Sequence, residues 1–176
     1  MTILIPAWVD GQLLPVEKLE VHKRGLRHKA VSVFVMDGDR VLLQKRAAGK
    51  YHTPGLWTNT CCTHPAWDEA PEDCARRRLH EELGIDGLPL THRGCVEYRA
   101  DVGDGLVEHE VVDFFTAPAG PDLTFQANPA EVAETSWAAL PDLARDVAAR
   151  PALYTPWLAI YLDRHAQAIF GRETGK

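Results

Sequence analysis

Trp57-Thr58-Asn59-Thr60-Cys61-Cys62-Thr63-His64-Pro65 lies between a Pro54-Gly55 turn and a helical pattern that opens at Pro71. The stretch holds adjacent thiols and an imidazole, groups that can bind a metal and also move a proton. The plain alternative is a pair of ordinary cysteines and a surface histidine beside a turn. The chain on either side argues against it.

Downstream, Pro71 to Leu83 reads as a helix. Pro71 suits the first turn, Glu72 and Asp73 suit its positive end, and Gly84 ends it. At about 100° per residue, Ala75, Leu79 and Leu83 form an apolar arc, and Glu82 falls inside it beside Arg78. Arg77, His80 and Glu81 face away. Arg77 and Glu81 fit a surface ion pair one turn apart, worth only a few tenths of a kcal/mol (~0.2–0.5). Arg78 and Glu82 are aimed instead at the edge of the core.

Upstream, Ala7 to Leu14 reads as a hairpin turning at Asp10-Gly11. Pro15 to Glu20 reads as a short helical or turn segment carrying Lys18. Ala30 to Met36 reads as a strand, with Val41 to Lys45 returning as its antiparallel partner. Ala47 to Thr53 reads as a loop holding Lys50, with Arg46 at its entrance. Beyond the helix, Thr91 to Ala100 and Leu106 to Phe115 read as strands joined by a turn at 101–105. Glu108 and Glu110 are two apart and share a face. Ser136 to Ala138 is a further strand, Pro141 to Ala149 a helix, and Thr155-Pro156 starts a last helix running to about Phe170. Strands and helices mix without βαβ alternation, which predicts an α+β fold, an α/β/α sandwich around a mixed sheet.

At 176 residues the chain predicts a single domain over 1–176. A domain of this size buries about 70% of its unfolded surface without disulfides. The net charge of −6 argues against a general nucleic-acid binder. His22-Lys23-Arg24-Gly25-Leu26-Arg27-His28-Lys29 is basic within this acidic chain, and a solvated turn accounts for it equally well. Cys61, Cys62, Cys74 and Cys95 contain no CxxC pair and fit reduced thiols in the cytoplasm. Met1 to Asp10 carries no targeting pattern, and no segment reaches the ~20 apolar residues of a membrane span.

His22, His28 and His64 with Glu108 and Glu110 are a complete ligand set for a divalent transition metal such as Mn²⁺ or Zn²⁺. Spacing supports that set weakly, because a lone histidine is more often a hydrogen-bonded structural residue. Thr58-Asn59-Thr60-Cys61-Cys62-Thr63-His64-Pro65, Tyr98-Arg99 and Gly105-Leu106-Val107-Glu108-His109-Glu110-Val111 resemble type I isopentenyl-diphosphate isomerases. So do Gly25-Leu26-Arg27-His28-Lys29-Ala30, Gln44-Lys45-Arg46 and Tyr154-Thr155-Pro156-Trp157, all in family order from Lys18 to Trp157. The resemblance implies a Nudix-type fold. From Thr63 to Ile85 the chain keeps Glu69, Arg77, Leu79, Glu81, Glu82, Gly84 and Ile85 of the Nudix pattern. It has Thr63 in place of the glycine and Arg78 in place of a glutamate. Nudix hydrolases hold metal with those glutamates, so Arg78 speaks against pyrophosphohydrolysis.

The resemblance implies reversible conversion of isopentenyl diphosphate to dimethylallyl diphosphate, supplying isoprenoid biosynthesis. It places Cys62 and Glu110 as the acid/base groups, Tyr98 beside Glu110, and Trp157 against a carbocation. From periodicity alone Trp157 would be a core residue. The resemblance further implies diphosphate binding by Lys18, Arg46, Lys50 and Arg78. Mn²⁺ or Zn²⁺ would be held by His22, His28, His64, Glu108 and Glu110, and Mg²⁺ by Glu82 and the Cys62 carbonyl. A monomer with no membrane or nucleic-acid partner is expected. The competing readings are a Nudix pyrophosphohydrolase acting on another diphosphate and a non-catalytic, metal-stabilised binding module.

Overall fold

β3 (Arg27–Asp37) is the spine of the sheet, and every residue from Ala30 to Val35 on it is buried. A strand buried on both faces must be covered on both sides. Alternation sends Ala30 and Phe34 into one apolar cluster and Val31, Val33 and Val35 into another. The computed structural model describes residues 3–171. The expected domain over 1–176, and the N-terminal reading that starts at Met1, extend onto residues outside the described ones.

β8 (Val107–Pro118) runs parallel to β3 from Arg27↔His109 to Met36↔Pro118, and β7 (Thr91–Asp101) pairs antiparallel with β8. On the other edge of β3 sit β1 (Leu4–Val9), β6 (Cys61–Thr63) and the end of β4 (Arg40–Arg46). β1 and β2 (Gln12–Glu17) form the expected hairpin, with positive φ at both Asp10 and Gly11. β4 continues to β5 (Trp57–Thr58) and β9 (Val132–Ala139).

The structure corrects two sequence expectations here. Pro15 to Glu17 belongs to β2, where an edge strand tolerates a proline without a ladder donor. The helix α1 covers only Lys18–Arg24. Secondly, β4 pairs with β3 only at Met36↔Val41 and Asp37↔Arg40. Beyond that point Thr60 stands between the two strands. Its Oγ1 accepts from Val35 N at 2.9 Å and donates to Leu42 O at 2.6 Å. The side chain bridges the strands as they splay, and β6 takes the vacated edge of β3.

α2 (Pro71–Leu83) lays Ala75, Leu79 and Leu83 against the Val31/Val33/Val35 face. The opposite face is covered by α3 (Leu140–Ala149) and the C-terminal helix, which an exposed 3₁₀ turn (Pro151–Leu153) connects. That helix is not uniform: α4 (Pro156–Ile160) passes into a π-helical segment (Tyr161–His165) and then α5 (Ala166–Phe170). The irregular segment closes at His165, whose φ of −124° and ψ of 3° leave helical values.

Candidate active site

α1 starts where the Glu17 carboxylate accepts from Leu19 N and Glu20 N, and it ends at Gly25 in the left-handed region, φ 59°. A Cβ there would lie 3.3 Å from Val107 Cβ, so glycine permits both the turn and the close approach of β8. The reversal brings the rings of His22 and His28 to 5.0 Å between centroids. His22 Nδ1 lies 2.6 Å from Lys18 O and His28 Nδ1 lies 2.7 Å from Leu26 O. A carbonyl only accepts, so each Nδ1 carries the hydrogen and each Nε2 presents a lone pair.

Those lone pairs converge. The Nε2 atoms of His22, His28 and His64 lie 3.0, 3.2 and 3.7 Å from Glu108 Oε2. The Nε2 atoms of His28 and His64 are 3.2 Å apart. His22, His28, His64 and Glu108, all buried, offer donor atoms within 4.8 Å of one another. Burial pushes the His64 pKa down and keeps the ring neutral, the form that ligates. Two imidazoles with their hydrogens tied to backbone, facing a third and a carboxylate, fit a divalent cation. Glu110 stands beside this group, its Oε1 3.0 Å from His64 Nε2 and 3.9 Å from His28 Nε2.

The adjacent thiols separate because β6 is a strand. Cys61 packs under α2, while Cys62 lies on the opposite face. Cys62 is paired in register with Ser32, whose Oγ donates to Sγ at 3.2 Å. Tyr161 Oη lies 3.2 Å from Ser32 Oγ and 4.0 Å from Sγ. Burial, and then the charge of Glu110, push the thiol pKa well up, so the Cys62 thiol keeps its proton. Glu110 is likewise pushed up by burial and by Glu108. Tyr98 Oη donates to Glu110 Oε2 at 2.7 Å. Trp157 is a core residue that also borders the cavity: it is 2% exposed, and its Nε1–H donates to Thr58 Oγ1 at 2.8 Å.

That cavity has a volume of about 750 Å³. Cys62, His64, Glu108, Glu110 and Trp157 line it, and so do Lys18, Arg46, Lys50 and Arg78. The four cations are thus brought together. Arg46 and Arg78 each hold a buried Nε without a partner, and Arg46 Nη2 donates to His52 O at 3.1 Å. Burial pushes the Lys50 amine down to about 8, even with the Glu131 carboxylate beside it. Arg78 contacts Glu82 at 2.5 Å, Glu81 at 2.8 Å and Glu131 at 3.3 Å. Glu82 is buried as the helix phase requires, and its other oxygen accepts from Gln44 Nε2 at 2.7 Å. It sits with Arg78 and Gln44, apart from the imidazole group. Glu69 accepts two hydrogen bonds from Arg77, at 2.6 and 2.7 Å, and so braces the start of α2.

Sequence reasoning alone misses Ser32, His52, Glu131 and Tyr161. Tyr161 follows Trp157 by one helical turn, a spacing that could have found it. Ser32, His52 and Glu131 carry no such signal, because their place depends on strand pairing and on a loop.

A mixed sheet between helices, with α2 and its carboxylates at one end of the site, defines the Nudix class of protein. The NUDIX domain family matches residues 26–158. The Deinococcus radiodurans protein DR0079 shares the fold, with a TM-score of 0.71, 14% identity, and coverage of 89% of this chain and 94% of that one. Escherichia coli dihydroneopterin triphosphate pyrophosphohydrolase does so with a TM-score of 0.55, 20% identity and coverage of 77% and 93%. Much nearer in sequence is the isopentenyl-diphosphate Delta-isomerase of Cereibacter sphaeroides (strain ATCC 17025 / ATH 2.4.3), 64% identical over 98% of this chain and 97% of its own. The isopentenyl-diphosphate Delta-isomerase of Roseobacter denitrificans is 65% identical over 97% of each chain. The chain belongs to the isopentenyl-diphosphate Delta-isomerase family within the Nudix fold.

Proposed function

We infer that Cys62 and Glu110 move the two protons by which this isomerase converts isopentenyl diphosphate to dimethylallyl diphosphate and back. The observation that carries this assignment is their geometry: a neutral thiol and a carboxyl border one cavity, each with its own hydrogen-bond partners. Shifting the double bond adds a proton to the alkene and removes one from a neighbouring carbon, so two acid/base groups are needed. Ser32 and Tyr161 orient Cys62 Sγ, and Tyr98 orients Glu110 Oε2. The tertiary carbocation formed between the two proton transfers must be kept from water. The Trp157 face offers it a desolvated cation–π contact worth about 2 kcal/mol or more.

Lys18, Arg46, Lys50 and Arg78 bind the diphosphate at the basic end of the cavity. The unpartnered Nε–H groups of Arg46 and Arg78 support this, since a buried donor without an acceptor is costly until an anion supplies one. His22, His28, His64 and Glu108 would hold Mn²⁺ or Zn²⁺, with Glu110 as the adjoining ligand. Glu82 and the Cys62 carbonyl would hold a Mg²⁺ bound with the diphosphate. The metal at the imidazole site would lower the pKa of Glu110. A cytoplasmic setting is supported by four cysteines free of disulfides, and the protein is expected to work there as a monomer. Among the described residues no helix is long and apolar enough to cross a membrane.

Incubation with isopentenyl diphosphate and Mg²⁺ in D₂O, followed by proton NMR, tests the reaction. Dimethylallyl diphosphate carrying deuterium is the expected product. Inorganic phosphate with an unmoved double bond would return the protein to the hydrolases.

A further inference from the structure

His52 is buried on the loop between β4 and β5, and neither proton transfer nor diphosphate binding requires it. Its Nε2 lies 3.1 Å from Glu108 Oε1, the oxygen turned away from the three converging Nε2 atoms. Unlike His22 and His28, whose Nδ1 hydrogens are held by carbonyls, His52 faces a hydroxyl with Nδ1, so its Nε2 carries the hydrogen that the carboxylate accepts. His52 Nδ1 then accepts from the Thr53 hydroxyl at 3.1 Å. Thr53 has φ 46°, a region that a β-branched residue rarely enters. The loop is pinned there, because Arg46 Nη2 donates to His52 O at 3.1 Å. The imidazole packs edge-to-face on Tyr51 at 4.3 Å and on Trp157 at 5.8 Å between centroids.

We propose that His52 is a positioning residue: it donates to Glu108 Oε1 and so fixes Oε2 toward His22, His28 and His64 as a metal ligand. A strained Thr53 and a fixed tautomer are what such a role needs, because an outer partner must hold one ligand oxygen so that the other faces the ion. The same ring connects the metal ligand to the Trp157 wall, so one loop sets both. Its nitrogen is occupied by a hydrogen, and His52 is therefore not itself a ligand.

This inference rests on Glu108 being a ligand. The test measures Zn²⁺ affinity of the full chain against a chromophoric chelator, alongside the melting temperature of the metal-free protein. The variants are His52→Gln, His52→Asn, His52→Ala and Glu108→Gln. A glutamine amide reaches the position of the imidazole Nε2, whereas an asparagine amide does not. His52→Asn and His52→Ala are expected to weaken Zn²⁺ binding about 10–100-fold, the usual effect of losing an outer partner. His52→Gln is expected to stay within about threefold of wild type on the same ground, and the metal-free proteins are expected to melt together. Wild-type affinity in all three His52 variants with a weak Glu108→Gln overturns the inference and leaves the ligand assignment standing. Wild-type affinity in Glu108→Gln overturns the ligand assignment, and this inference with it. Equal loss in His52→Gln and His52→Ala makes the imidazole itself the ligand. Loss of affinity only in step with loss of metal-free stability makes His52 a packing residue. Either result overturns the positioning role.

Discussion

On the proposed assignment of the two proton transfers, Cys62 and Glu110 are the residues whose loss is expected to cost most. Cys62→Ala and Glu110→Gln each remove an acid/base group, and each is expected to lower kcat about 10²–10⁴-fold in the NMR assay. Near-normal turnover by either variant would falsify its assignment. Trp157→Leu removes the π face but keeps an apolar core side chain. A loss of about 2 kcal/mol, roughly 30-fold in kcat, is expected. Lys50 sets a pH dependence. Its amine is pushed down to about 8 from 10.5, so it is charged below pH 8 and discharges as the pH rises through that value. With Lys50 proposed to bind the diphosphate, that binding is expected to weaken across this range, so that kcat/KM falls while kcat stays level. Lys50→Arg, which remains charged, should flatten the profile near pH 8. The same shift acts on folding: from 8 to 10.5 the unfolded chain holds a proton that the folded chain has released, so this residue makes stability rise with pH there.

At the scale of elements, α2 divides its faces between structure and chemistry. Leu79 is 2% exposed against the β3 valines, so Leu79→Ala is expected to cost about 2–5 kcal/mol, measured by urea unfolding. Arg78 lines the cavity, and Glu82, one turn on along the same helix, is buried behind it against Arg78 and Gln44. This helix is legible in the sequence, since its caps and 3.6-residue period are local properties of the chain. The partners of β3 are not. The β3–β4 hairpin is complete as a sequence pattern, yet the hydroxyl of Thr60 parts the strands and admits β6. The π-helical segment is equally hidden, because an unbroken helical pattern carries no mark of one wider turn. Tyr161 opens that segment, and its hydroxyl reaches Ser32 and Cys62.

For the whole molecule, the imidazole and carboxylate group joins α1, β3, β8 and the segment after β6. A metal held there would favour the folded chain, which alone brings these groups together. At a concentration 100-fold above Kd it is expected to add about 2.7 kcal/mol. For a chain of this length that raises Tm by roughly 5–11 °C. Scanning calorimetry with a chelator, then with Mn²⁺ restored, checks this, and activity should fall and recover in parallel. An unchanged Tm together with full activity after chelation would remove the metal from the account.

The sequence by itself determined the chemistry-bearing residues and the local elements. Cys62, His64, Glu108, Glu110 and Trp157 lie in motifs specific enough to name, and the period of α2 aimed Glu82 inward. Only the tertiary structure decided which groups meet. It placed Ser32 opposite Cys62, split Cys61 from Cys62 between two faces, and put His52 on the far oxygen of Glu108. These are long-range contacts, fixed by strand register and by a strained loop. Local pattern is written in neighbouring residues, whereas register is chosen by burying both faces of β3 at once.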